Sequence, residues 1–205
     1  MVFSMILQEF LCNHATDRLP AINGPYADLV RHLRREIDTA DGLKGYLDWG
    51  ETRGKDFQAL AQVVYLIAHG FDAKKAEPTT SRLEAFLNQP GDGSSLSMLN
   101  AKAINTMQIF CRIVRHPDLN MPLKGDLAPI EFVMSAYLIF LYRETFSDKQ
   151  LSLSIAGMRQ HLLQAFPSRK FKTDAFKLLL AFITKQVPKL KSKMQSDQYG
   201  EENDL

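Results

Sequence analysis

What the sequence lacks narrows its reading first. Of 205 residues only two are cysteine, Cys12 and Cys111, and only one is tryptophan, Trp49. The two cysteines match neither a metal-ligand nor a redox spacing. Each stands among apolar neighbours, where a reduced, buried thiol is the common state, so a reducing intracellular compartment, cytoplasmic or nuclear, is expected. Neither sign of charge dominates: 25 Lys and Arg face 23 Asp and Glu, for a net +2. No global electrostatic pull toward nucleic acid or anionic lipid follows from that. The apolar N-terminus, MVFSMILQEFLCNH, has no basic residue ahead of it and is interrupted by Gln8 and Glu9; it reads as a short helix rather than a signal peptide. No strand-like alternation and no internal repeat is present, so the chain is expected to be all-α.

What is present is an ordinary globular composition, 45% hydrophobic and 23% charged, enough for one domain with a sizeable core. Its most apolar stretch is Asp126 to Thr145, DLAPIEFVMSAYLIFLYRET. Asp126 suits an N-cap, Pro129 the first turn, and Glu131 the positive end of the helix dipole. A helix apolar on every face is buried in a core or in a bilayer. This run falls short of the ~20 apolar residues of a membrane span, and Glu131 and Arg143 flank it. It is expected to be the buried central helix of an irregular bundle of seven to eight helices. One helical domain is expected over residues 1–187, with a disordered charged tail over 188–205.

The other segments read as amphipathic cover. Phe3, Ile6, Leu7, Phe10 and Leu11 fall at helical spacing, in a segment too short to hold without a partner face. Pro25 opens a helix with Tyr26, Leu29, Val30, Leu33 and Ile37 on one stripe. Residues 39–53 form a glycine-containing connector that Trp49 pins to the core. Gly54 to Gly70 is the cleanest amphipathic helix, with Phe57, Leu60, Ala61, Val64, Tyr65 and Ala68 inward and Gly70 as its stop. Ser81 with Glu84, and Ser147 with Gln150, have capping-box spacing. Gln89 to Ser95 is a loop, and Leu96 to Arg115 a helix that His116-Pro117 ends. Leu151, Ile155, Met158 and Leu162 line up on the next helix, which Pro167 closes. Thr173 caps the last, with Phe176, Leu179, Leu180, Ile183 and Val187 inward, and Pro188 stops it.

No convergent chemistry stands out. His14, His32, His69, His116 and His161 lie on separate segments and form no His-Glu-x-x-His pattern, so no metal site, cofactor or catalytic residue is implied. The glycines from 42 to 54 are too widely spaced to cradle a phosphate. Basic residues cluster locally, and the set that suits phosphate best is Arg31, Arg34 and Arg35 on one helix. Acidic residues intersperse nearly every such cluster, as on an ordinary solvated face. Any nucleic-acid contact is therefore expected to be weak and salt-sensitive.

Four stretches carry a likeness to a known family: RLPAINGPYADLVRHLRREI at 18–37, RGKDFQALAQVVYLIAHGF at 53–71, EPTTSRLEAFL at 77–87 and LAPIEFVMSAYLIF at 127–140. Together they resemble a fungal branch of the domain-of-unknown-function family typified by the N-terminal domain of GmrSD-type modification-dependent restriction endonucleases. In that family a ParB/sulfiredoxin-like α/β core precedes a helical region, and the resemblance covers only the helical part, 18–187. The family's Asp-Gly-Gln-Gln-Arg signature and an HNH motif are absent from this sequence, and the place of its aromatic-x-Arg phrase holds Glu9 to His14. The resemblance thus implies a non-catalytic helical module, a truncated or split relative, contacting nucleic acid or a partner that supplies the α/β core. The alternative is a helical interaction or scaffold protein unrelated to nucleases, binding a partner or a second copy through exposed apolar helix faces. An enzyme with a novel site is the weakest reading.

Overall fold

Helix-favouring periodicity without strand alternation leaves one way to bury the apolar faces, helix against helix. The computed structural model describes residues 18–47, 55–70, 72, 77–125, 127–168 and 172–190. These residues form seven α-helices and no strand: α1 (Pro25–Ile37), α2 (Lys55–His69), α3 (Thr80–Leu87), α4 (Gly93–Arg115), α5 (Pro129–Tyr142), α6 (Asp148–Ala165) and α7 (Thr173–Ala181). Short 3-10 turns at Leu19–Ala21 and Met121–Leu123 lead into α1 and α5. The expected helix over 3–12, Trp49, Asp126 and residues 191–205 of the tail lie outside the described residues.

Helix α5 is the centre, as its composition requires. Every residue from Ile130 to Ile139 is buried, Glu131 and Ser135 included. Its bounds are tighter than the apolar run suggests. The N-cap position falls on Ala128, whose N–H is taken by the Glu131 carboxylate at 2.9 Å. The helix stops at Tyr142, whose carbonyl accepts from both Thr145 and Phe146 N–H.

The centre is shared, however. Helix α2 has nearly every residue from Asp56 to Ile67 buried, and α5 is its main neighbour, with α1, α3 and α4 also against it. Its pattern looks amphipathic only because the polar members of the outer face, Asp56 and Gln62, find partners inside: Asp56 an ion pair with Arg34 at 2.5 Å, Gln62 the carbonyl of Pro78. Ala68, expected inward, is exposed. Gly70 ends the helix at φ 51, a left-handed conformation that glycine adopts without a Cβ penalty. Its carbonyl is held by the Tyr137 hydroxyl at 2.7 Å, a polar tie between the two central helices.

Helix ends show where local rules held. The Ser147–Gln150 capping box is complete, with Ser147 N–H donating to Gln150 Oε1 at 2.9 Å and Gln150 N–H to Ser147 Oγ at 3.3 Å. The Ser81–Glu84 pair is not a cap, because α3 begins at Thr80 with Thr79 at its N-cap. Helix α4 starts earlier than the loop-like Gly91-Asp92-Gly93-Ser94-Ser95 suggests. Asp92 caps it, accepting from Ser95 N–H and from both serine hydroxyls, which hold its carboxyl below the usual range. Lys172, not Thr173, occupies the N-cap of α7, and Thr173 Oγ1 instead bonds Glu77. Nor does Pro188 stop the last helix. A π turn at Phe182–Gln186 precedes it, and helical structure continues to 190. The register shift of that turn carries the chain past a ring that has no N–H to give. Residues 188–190 of the expected tail are thus helical.

Candidate functional site

Helices α1 and α4 pack side by side and run parallel. Their N-termini meet where Gly91 lies against Pro25. Their C-termini meet where Arg115 donates to the Asp41 backbone carbonyl at 2.9 Å and to its carboxylate at 3.3 Å. Two parallel cylinders leave a furrow along their outer side, and here it deepens at both ends. A cavity of about 540 Å³ opens between Leu29, His32 and Arg35 on α1 and Leu96 and Asn100 on α4. A larger one, about 720 Å³, opens between Ile37 and Glu36 on α1 and Ile104, Met107 and Cys111 on α4.

The α4 wall is one helical stripe: Leu96, Asn100, Ile104, Gln108, Cys111 and Arg115 follow at three- and four-residue steps. Sequence periodicity places Ile104, Met107, Cys111 and Val114 on a single apolar face. Met107 and Val114 are core, but Ile104 is only partly buried and, with Cys111, lines the furrow. The floor is therefore apolar and the rim polar. Arg115 lies over the Tyr46 ring, 5.9 Å from its centroid, and Tyr46 is among the most exposed large side chains. Arg112 turns outward to a bidentate pair with Asp148, which pulls that carboxyl below its usual range. Asn100 Oδ1 is shielded from solvent without a hydrogen-bond donor among the described residues. Burial pushes the Cys111 thiol up to about 11, so it is protonated and unreactive near neutrality.

The three arginines singled out on α1 diverge. Arg31 folds inward and donates to the carbonyls of Pro20 at 3.0 Å and Ile22 at 2.5 Å, with Asp28 on its other nitrogen. Arg34 turns to the buried Asp56. Arg34 and Arg35 both stay exposed, and Arg35, on the rim of the furrow, has no ion pair among the described residues. Spacing put all three on neighbouring surface; the acceptors that draw two of them away are tertiary. The described histidines stay apart: His69 bonds its own helix at Tyr65, His116 sits beyond α4, and His161 stacks on Phe182. Among the described residues no three of His, Cys, Asp and Glu gather as metal ligands.

One buried charge pair lies elsewhere. Glu131, fully buried on α5, meets Arg159 of α6 at 3.0 Å, and Arg159 also donates to the Pro122 carbonyl. The pair joins α5, α6 and the Met121–Leu123 turn and faces no cavity described above, so it is architectural. No family model, no curated protein and no solved structure matches the chain.

Proposed function

We propose that this chain is a non-catalytic helical binding module that receives an apolar, helix-forming segment of polypeptide in the furrow between α1 and α4. The observation that carries the reading is the furrow itself, an apolar floor between two parallel helices with a charged and aromatic rim. That is the form in which one amphipathic helix is taken up by others. In the family whose helical region this chain resembles, an α/β core accompanies the helices, and such a core is one source of a docking segment. A protonated, buried Cys111 suits an intracellular setting. No helix among the described residues is long and apolar enough to cross a membrane. Nucleic-acid binding has less support, since Arg31 is tied to the carbonyls of Pro20 and Ile22 and Arg34 is paired with Asp56.

The test is a photoreactive residue in place of Gln108 on the furrow, with Lys177 on α7 as the control position. A cross-link to polypeptide from position 108, absent from 177 and lost when Ile104→Asp charges the floor, is the expected outcome. No cross-link to any polypeptide would sink the reading, as would reproducible turnover of DNA or nucleotides with magnesium or manganese that tracks the protein through purification.

A further inference from the structure

Whatever the furrow binds, we infer that Asn23 is a site of spontaneous deamidation, and that its isoaspartyl product unseats the start of α1. Three pairs in the chain set an Asn or Asp before a glycine: Asn23-Gly24, Asp41-Gly42 and Asp92-Gly93. Only the first carries an amide. Ring closure at such a pair needs the glycine nitrogen accessible and the preceding side-chain carbonyl free to turn onto it. Glycine, without a Cβ, shields its own nitrogen least.

The fold withholds these conditions at both aspartates. Gly42 is buried and its N–H donates to the Thr39 carbonyl at 2.9 Å, while the Asp41 carboxylate accepts from Arg115. The Asp92 carboxylate is taken up by Ser95 N–H and the hydroxyls of Ser94 and Ser95, which keep it ionised, the form that resists a nitrogen nucleophile. Asn23 differs on each count. It is exposed, between the Leu19–Ala21 turn and α1, and its side chain has no hydrogen bond among the described residues. The Gly24 carbonyl accepts from Asp28 N–H at 2.9 Å, but the Gly24 N–H has no acceptor among the described residues.

The reaction needs only water. Gly24 N gives its proton to a solvent base and bonds to the side-chain carbonyl carbon of Asn23; the bond from that carbon to the amide nitrogen breaks, and ammonia leaves. Water then opens the cyclic imide. Attack at the side-chain carbonyl gives aspartate. Attack at the main-chain carbonyl gives isoaspartate, whose backbone runs through Cβ and Cγ and is longer by one carbon. The contacts on either side leave no slack for that carbon. Upstream, Arg31 holds the carbonyls of Pro20 and Ile22. Downstream, a Cβ on Gly24 would stand 3.0 Å from the Leu87 carbonyl oxygen, so the backbone already lies close against the end of α3. Isoaspartate therefore breaks one of these contacts and loosens the first turn of α1, where Pro25, Asp28 and Leu29 border the furrow. Aspartate keeps the chain length, and its charge suits the positive end of a helix whose N-cap, Gly24, has no side chain to offer.

The experiment ages the purified full chain in neutral and in mildly alkaline buffer, with a urea-unfolded sample alongside. Tryptic peptides, 19–31 among them, are followed by mass spectrometry and by enzymatic methylation of isoaspartyl groups. Conversion at Asn23 in the folded chain should come within several-fold of the unfolded rate and quicken in the alkaline buffer. It should run ahead of Asn88, Asn100, Asn105 and Asn120 and be absent from Asn23→Ser. Asp41 and Asp92 should form isoaspartate only in the unfolded sample. The isoaspartyl fraction of the aged protein should exchange the amide hydrogens of Asp28 and Leu29 several-fold faster than Asn23→Asp does. An Asn23 that keeps its amide in the folded chain yet converts in urea overturns the site, as does earlier conversion at another asparagine. Equal exchange in the isoaspartyl fraction and Asn23→Asp overturns the loosening of α1.

Discussion

Glu131 and Arg159 show how a single residue is fixed by what surrounds it. The carboxylate is wholly buried and does two things, accepting the Ala128 N–H at the start of α5 and pairing with Arg159. A buried charge left without its partner is far more costly than the pair is favourable. Arg159→Ala should therefore lose about 3–5 kcal/mol, measured by urea denaturation, whereas a loss below 1 kcal/mol would mean that water reaches Glu131. Buried neutral groups set the alkaline limit. Burial raises the Cys111 thiol from 9.0 to about 11 and raises the Tyr137 and Tyr142 phenols as well. The folded chain keeps these protons where the unfolded chain releases them. Stability is thus unaffected below about pH 9 and falls as pH climbs from 9 toward 11. A denaturation midpoint that stays level from pH 8 to 10.5 would contradict this.

Among the elements, α5 was the most legible in the sequence and α2 the least. An uninterrupted apolar run such as Ile130 to Ile139 has no polar face to present to water, so its burial follows from composition alone. Leu138, fully buried there, should cost about 2–5 kcal/mol on substitution to alanine; an unchanged midpoint would remove α5 from the core. Helix α2 carries Asp56 and Gln62 where a sequence shows solvent, and only the folded chain supplies Arg34 and the Pro78 carbonyl to satisfy them. Capping went the same way. Ser147 and Gln150 satisfy each other within four residues, so spacing sufficed, while Ser81 falls inside α3, whose N-cap position is Thr79 without a side-chain cap. The three arginines of α1 belong at this scale too. An arginine on a polar stripe reads as solvated, yet Arg31 clamps the turn at Leu19–Ala21 to the helix. Arg31→Ala should destabilise by about 1–2 kcal/mol through the loss of charge-assisted bonds, and Arg35→Ala by less than about 0.5 kcal/mol. Equal effects would show that the clamp carries no stability.

For the whole molecule, periodicity identified which faces are apolar but not which helices lie parallel. The furrow therefore had no signature in the sequence. Ile104 has the spacing of a core residue, and what leaves it only partly buried is the arrangement of α1 and α4, two helices with α2 and α3 between them in the chain. The carbonyls of Pro20 and Ile22 and the carboxylate of Asp56 on α2 separate three neighbouring arginines into two structural contacts and one rim charge. Taken over the whole chain, removing the furrow's apolar floor should leave the fold and end docking. Ile104→Asp, only partly buried in the native state, should keep the helical far-ultraviolet spectrum while losing the cross-link at position 108. Loss of the spectrum would instead make Ile104 part of the core.

The meeting of Gly91 with Pro25 has a mechanical consequence. A Cβ at position 91 would stand 2.7 Å from Pro25 Cγ, and one at Gly24 would stand 3.0 Å from the Leu87 carbonyl oxygen. The chain just ahead of α4 therefore lies against the Pro25 ring, and the start of α1 against the end of α3, as closely as residues without side chains permit. The other end of the furrow is joined by Arg115 and Asp41, an exposed pair that dissolved salt screens. With a close contact at Gly91 and an exposed ion pair at Arg115, the two ends of the furrow are expected to respond differently to dissolved salt: raised ionic strength weakens the tie beside Tyr46 and leaves the contact at Pro25 unchanged.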